Sequence, residues 1–140
     1  MNKKYKILSS FIKDMSRETP DVESYLFRKD NISKYELDID ISSNPLKNKL
    51  IEVNTCLKFQ DKTKQEKKSY FEVIYTSVVR IEDVVKEKKD LQKIVLCDFP
   101  TEIYTVLENI LLNLLSYSGY PGVKFDKKVD FTKLFKEKFN

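Results

Sequence analysis

Residues 99–121 read FPTEIYTVLENILLNLLSYSGYP, and this stretch decides how the chain folds. Pro100 suits the first turn of a helix, where its missing N–H would have had no partner in any case. Gly119 and Pro121 end the same helix. Between them Ile103, Val106, Leu107, Ile110, Leu111, Leu114 and Leu115 recur at steps of three and four residues, and Tyr104 and Leu112 widen the apolar surface. An ordinary surface helix packs through an apolar stripe of about 100°. This stripe covers close to half the helix, more than one sheet can bury. The helix from Pro100 to Ser118 is therefore expected to lie between the chain's own sheet and a second subunit, with those leucine, isoleucine and valine residues at the oligomer interface.

Upstream of the helix the apolar period changes from helical to alternating. Leu37, Ile39 and Ile41 alternate with Glu36, Asp38 and Asp40, the pattern of a half-buried strand. Ile51, Val53, Thr55, Leu57 and Phe59 form a second such run, joined to the first through Asn44-Pro45 and Asn48. A polar, lysine-rich segment from Asp61 to Lys68 leads to a third run, with Phe71, Val73, Tyr75, Val79 and Ile81 on one face. A further strand is expected from about Lys4 to Arg17, with Tyr5, Ile7 and Phe11 on one face. The short connections make the last three strands an antiparallel meander. Residues 18–35, carrying Tyr25, Leu26, Phe27 and Tyr35 among charges, form a long crossover loop of the kind that is usually functional. The segment from Glu82 to Lys93 is charged and partly helical. A closing helix starts near Asp130, with Phe131, Leu134, Phe135 and Phe139 on one face. The fold class is α+β: a four-stranded antiparallel sheet with a crossover after the first strand, then a long and a short C-terminal helix.

Composition narrows the function. At 140 residues the chain is read as one domain, residues 1–140, large enough to bury a core without disulfides. Its 26 basic and 22 acidic residues are interspersed and leave a net charge of only +4, so nucleic acid is not the expected partner. Cys56 and Cys97 lie far apart without metal-ligand spacing, which fits a reducing cytoplasm. The start of the chain has no apolar run of signal-peptide length and none elsewhere reaches membrane-span length, so a soluble cytoplasmic protein without membrane insertion is expected. Histidine is absent, and with it the commonest general base and metal ligand. With only two glycines there is no Gly-rich phosphate loop, and no Gly-x-Ser-x-Gly or Cys-x-x-Cys occurs. Asp38 and Asp40 read as the wet face of a strand, and the cysteines as small packing residues. The chain is expected to be no enzyme and to need no cofactor or metal.

The order of these elements resembles the export chaperone family SecB. The first strand ends Lys13-Asp14-Met15-Ser16-Arg17-Glu18-Thr19-Pro20, close to the family's Lys-Asp-Ile-Ser-x-Glu-x-Pro. Phe27-Arg28-Lys29-Asp30 followed by Leu37-Asp38-Ile39-Asp40 is similar to the family's Phe, polar run and Leu-Asp-Leu strand. Phe71-Glu72-Val73 looks like the start of its last strand, and Val129-Asp130-Phe131-Thr132-Lys133-Leu134-Phe135 resembles Val-Asn-Phe-Asp-x-Leu-Phe near its end. Departures are Thr76-Ser77 where the family has a glycine pair, Tyr104-Thr105 and Glu108 in place of Phe-Pro-x-x-Arg, and a mildly basic charge in a family that is typically acidic. The resemblance implies a nucleotide-independent holdase for unfolded polypeptides and preproteins, assembled as a homotetramer, a dimer of dimers. It implies a client groove, for which Tyr25, Leu26, Phe27, Phe131, Leu134 and Phe135 are the candidates. It also implies delivery to the motor SecA through acids on the outer sheet face, at positions matched by Asp14, Glu18 and Glu72 with Tyr70 beside them. Two alternatives remain open: a chaperone dedicated to the antitoxin of a toxin–antitoxin system, and an interaction or nucleic-acid-binding module using the lysines between Asp61 and Lys68.

Overall fold

A computed structural model describes residues 4–17, 21–61, 70–125 and 129–139. Four strands, β1 (Tyr5–Arg17), β2 (Tyr35–Pro45), β3 (Leu50–Asp61) and β4 (Tyr70–Ile81), form one antiparallel sheet in the order β1-β4-β3-β2. The meander β2-β3-β4 is as the alternation requires, and β1 adds to the far side of β4. The turn between β2 and β3 lies one step beyond Pro45, at Leu46–Lys49, where Asn48 and Lys49 take φ of 63° and 62°. The lysine-rich connection between β3 and β4 lies outside the described residues.

The inner face of the sheet carries the alternating residues. Val53, Thr55, Leu57 and Phe59 on β3 and Phe71, Val73, Val79 and Ile81 on β4 are all buried. β1 departs from simple alternation. Its register against β4 shifts between Ile7 and Ser9 and again between Ile12 and Asp14. The first bulge reverses the phase, so Phe11 pairs with Thr76 and stands on the face opposite to Ile7. Phe11 is left 50% exposed on the outer face, while Ile12 and Met15, which pair with Tyr75 and Val73 on the inner face, are 45% and 48% exposed at the edge of the sheet, as is Leu8 at the bulge, at 44%.

Helices cover the inner face. The crossover after β1 is not structureless: it contains α1 (Val22–Asn31) and a 3-10 turn, Ile32–Lys34. The long helix also begins earlier than Pro100 suggests. A short helix, α2 (Lys88–Lys93), runs through a π-helical turn, Ile94–Asp98, into α3 (Phe99–Tyr117). In that turn the Phe99 N–H donates to the carbonyl of Ile94, five residues back. The wider turn relieves the collision that the Pro100 ring would make with the carbonyl four residues earlier, so the proline sits inside a continuous helical run. Tyr5 ties β1 to this region, its hydroxyl donating to the Asp98 carbonyl at 3.3 Å and to Glu102 Oε2 at 3.2 Å. The last helix, α4 (Phe131–Phe139), is capped by the Asp130 carboxylate, which accepts from the Lys133 N–H at 3.1 Å. Among the described residues no helix is long and apolar enough to cross a membrane.

The apolar stripe of α3 is divided differently from the interface expected of it. Ile103, Leu107, Leu111, Leu114 and Leu115 are buried within the protomer, with Leu111 and Leu115 at 0% exposure. The sheet covers one side of this stripe, and Phe131 of α4 packs on Tyr104 beside it. Ile110 is half-buried and Val106 is 46% exposed, so these two alone of that set face outward.

Removing core volume at α3 should therefore act on the fold itself. Leu111→Ala is expected to cost about 2–5 kcal/mol in urea unfolding, whereas Val106→Lys, on the exposed side, should change protomer stability by no more than about 0.5 kcal/mol.

Candidate functional site

The end of α3 is where the packed core opens. Ser118 closes the helix, the Tyr120 N–H donates to the Leu115 carbonyl at 2.8 Å, and the Gly119 N–H donates to the Ser116 carbonyl at 3.1 Å. This is a Schellman cap, and it needs a left-handed residue, here Gly119 at φ 101°. The glycine is required twice over. A Cβ at Gly119 would lie 2.4 Å from Tyr25 Cε1, because the Tyr25 ring is packed directly on this backbone. The Tyr25 hydroxyl donates to the Gly119 carbonyl at 3.0 Å, so α1 and the end of α3 are locked together at one point.

From that point the chain runs over the end of the sheet where β2 starts and β3 ends. Tyr120 stacks against Tyr25 with ring centroids 5.3 Å apart and meets Phe71 edge-on at 5.7 Å. Tyr35 lies 5.2 Å from Phe59, and Phe125 meets the other side of Phe59 edge-on at 5.4 Å. Arg28 on α1 is 1% exposed, with its guanidinium 5.4 Å from the Phe71 centroid, and fixes α1 to the inner face. Burial raises the Tyr120 phenol pKa above its ordinary value, with Arg28 pulling in the opposite direction.

Between these rings is a cleft of about 830 Å³. One wall is Tyr25 and Ile32 from the crossover, the floor is Tyr35, Leu37 and Phe59 from the sheet, and the other wall is the segment from Gly119 to Phe125. Among the described residues its charged lining is Lys29 and Lys124. A largely apolar, aromatic cleft of this size suits side chains of an extended polypeptide, since aromatic walls give large contact area at low entropic cost. Among the described residues no group of three or more His, Cys, Asp or Glu is placed to hold a metal ion.

Of the groove residues expected from sequence, Tyr25 alone lines this cleft. Leu26 and Phe27 are on the exposed side of α1, at 52% and 48%. Phe131 is an anchor of the core, 3% exposed and edge-on to Tyr104 at 5.8 Å. That contact docks α4 along the π-helical turn, where the Cys97 thiol and Thr132 hydroxyl are 3.5 Å apart, leaving Leu134 exposed and Phe135 half-buried away from the cleft. Leu37, Phe59 and Tyr120 share the cleft with Tyr25 instead. Leu37 and Phe59 had the alternation of inward strand residues, and their place at the end of the sheet puts them at the cleft floor, Leu37 half-buried and Phe59 buried at 4% exposure.

The acids of the outer face are gathered around Cys56. Asp14 on β1 pairs with Ile74, and Ser16, which pairs with Glu72, donates to Asp14 Oδ2 at 2.8 Å. The Tyr70 ring lies under the Lys58 ammonium at 5.0 Å, and Glu18 lies outside the described residues. Burial, then Glu72 and Asp40, push the Cys56 thiol up to about 11. The protonated thiol is thus favoured by folding. Its contribution to stability is complete below the ordinary thiol range and is lost as pH rises through about 11.

A search against family models matches residues 1–140 to SecB, described as preprotein translocase subunit SecB. The putative protein-export protein SecB of Pelagibacter ubique is 55% identical over 140 residues, covering 100% of both chains. The protein-export protein SecB of Bradyrhizobium diazoefficiens is 26% identical, covering 94% of this chain and 80% of its own. Among solved structures, a Mycobacterium tuberculosis SecB-like chaperone in complex with a ChAD peptide from an antitoxin superposes with a TM-score of 0.63 at 7% identity, covering 89% of this chain and 91% of that one. That likeness is one of fold.

Two measurements check the site's construction. Gly119→Ala should displace Tyr25 and lower stability by about 1–3 kcal/mol through strain at positive φ, while Tyr25→Phe should cost only about 1 kcal/mol for the lost hydrogen bond. In a Cys97→Ser background, Cys56 should react with iodoacetamide near pH 8 about a hundredfold more slowly than a free thiol.

Proposed function

Since the chain belongs to the SecB family of protein-export chaperones, we propose that it holds unfolded polypeptides by taking their apolar side chains into the cleft between Tyr25, Tyr35, Phe59 and Phe125. The observation that carries this reading is the cleft itself: about 830 Å³ of aromatic and aliphatic wall left open at the end of an otherwise packed core. The cleft's aromatic and aliphatic walls suit binding, and Cys56, on the other face, is held as the neutral thiol. The activity is binding, without turnover of a substrate or use of a cofactor.

One buried apolar side chain contributes about 1.5–3 kcal/mol, too little to retain an unfolded chain alone. Several clefts occupied by one client raise the effective concentration and supply the rest. This argues for a homo-oligomer, and for the tetramer that the resemblance implies. The surfaces suited to a second copy are the half-exposed Leu8, Phe11, Ile12 and Met15 on edge strand β1, together with Val106 and Ile110 on α3. Leu107, Leu111, Leu114 and Leu115 support that interface from beneath by holding α3 in place.

Delivery to SecA would use the opposite side of the sheet, where Asp14, Glu72 and Tyr70 stand clear of the cleft. A role confined to an antitoxin is the competing service. The full-length match to a putative protein-export protein favours export; the fold neighbour's antitoxin peptide keeps the other in view.

Aggregation of an unrelated unfolded protein should be suppressed without nucleotide, and Leu37→Ser combined with Phe125→Ala should weaken client binding about tenfold or more. Leu26→Ala with Phe27→Ala should leave it nearly unchanged. Strong binding to an antitoxin segment with no protection of generic clients would establish the dedicated role instead. Phe11→Lys with Met15→Lys should lower the mass found by light scattering.

A further inference from the structure

We propose that each protomer holds an unfolded chain at two places, the cleft and a second apolar pocket at the opposite end of the sheet, and so favours clients whose apolar clusters lie about eight or more residues apart. The inference rests on the cleft being the polypeptide site. The second pocket, about 400 Å³, opens where the turn after β2 meets the segment leading into α2. Pro45 and Leu46 come from the turn, Ile51 and Ile81 from the sheet, and Val85 and Leu91 from that segment and α2. Its walls are tied through the main chain. The Leu46 N–H donates to the Leu50 carbonyl at 2.8 Å, the Ile81 N–H to the Lys49 carbonyl at 3.0 Å, and the Val85 N–H to the Glu82 carbonyl at 3.1 Å. Lys49 also pairs with Asp83, which joins the turn to the segment after β4. The pocket is thus built by the fold itself, with Leu46 on its wall 43% exposed.

The occupant follows from what lies between the two sites. α3 packs chiefly over β4 and β3. The inward side chains of the edge strand β2, Leu37, Ile39 and Ile41, are therefore only half-buried. Leu37 pairs with Phe59 in the cleft floor, and Pro45, at the far end of the strand, pairs with Ile51 at the pocket. The strand carries an apolar track from the cleft toward the pocket, over roughly 27 Å at about 3.4 Å per residue. That is the reach of about eight residues of extended client. The charges lining the pocket have both signs, Lys86 and Lys88 with Glu82 and Glu87, so it suits an apolar side chain rather than a charged partner. Two modest contacts made by one chain reinforce each other, because the first raises the effective concentration for the second.

The test uses the full-length protein and fluorescent peptides followed by anisotropy. One carries a single apolar cluster; the others carry two, joined by about three or about ten Ser/Gln residues, of which only the longer spacer spans both sites. The longer-spaced peptide should bind about tenfold more tightly than the single cluster, and the shorter-spaced one within about threefold of it. Leu46→Ser combined with Val85→Ser should remove that gain and leave the single-cluster peptide unchanged, which also reports an intact fold. Equal affinities for the two spacings would overturn the second site while leaving the cleft. So would a gain that survives in the double variant, as bridging between the clefts of separate protomers would give. Should the double variant lose the single-cluster peptide as well, Leu46→Ser alone, at an exposed turn, decides: loss of the gain upholds the proposal and an undiminished gain overturns it. A lower mass for the double variant in light scattering would make the pocket a contact between copies. A gain that appeared only after removal of residues 1–3 would make the start of the chain its occupant, and either result overturns the proposal. Failure of the single-cluster peptide to bind the unaltered protein would remove the cleft reading itself.

Discussion

The site follows from one constraint on α3, which must lie buried along the inner face of the sheet and then return the chain across that same face. Gly119 meets it. Its left-handed backbone reverses the chain without a Cβ, and the vacated space is taken by the Tyr25 ring, whose hydroxyl closes onto the Gly119 carbonyl at 3.0 Å. The contact joins the crossover to the C-terminal part of the chain. Tyr120 then covers Phe71, Phe125 reaches Phe59, and the gap left between the two segments is the cleft. Aromatic rings suit this place because they present wide apolar surface while losing little conformational freedom.

The sheet divides the molecule into two chemical environments. Its inner face is apolar and is filled by α1, α3 and the cleft, with lysines at the cleft's margin. Its outer face is polar and hydrogen-bonded: Thr76 donates to Asn54 at 2.6 Å, Asn54 donates to Glu52 at 2.8 Å, and burial, then the acids nearby, raise the Cys56 pKa. The half-exposed side chains of β1 flank both faces of an edge that natural proteins seldom leave uncovered.

The sheet was legible because alternation is a local property: Leu37, Ile39 and Ile41, or Val53, Leu57 and Phe59, show it within a few residues. The helical crossover was not, because Tyr25-Leu26-Phe27 is a contiguous cluster and the side chain that completes its inward face is a cation, Arg28. Composition marks arginine as solvent-facing, and only the Phe71 ring beneath it explains its burial. The π-helical turn before Pro100 was hidden for a similar reason, since a proline reads as a helix start when the widened turn that accommodates it is unseen. The cleft is the sharpest case. Leu37 and Phe59 have the same pattern as Leu57, which is 0% exposed, yet they form the floor of a cleft between the crossover and the segment from Gly119 to Phe125. Phe131 shows the reverse: named among the groove candidates, it is 3% exposed and docks its helix onto the core. Periodicity reports which face a side chain takes; coverage of that face is settled by distant parts of the chain.

The most direct test of the central claim is hydrogen–deuterium exchange of the full-length protein with and without a saturating unfolded client. If the cleft holds the client, residues 32–37 and 119–125 should exchange more slowly in its presence, while β4 away from the cleft stays unchanged. Unaltered exchange in both segments, with slowing confined to the outer sheet face or to α4, would contradict it.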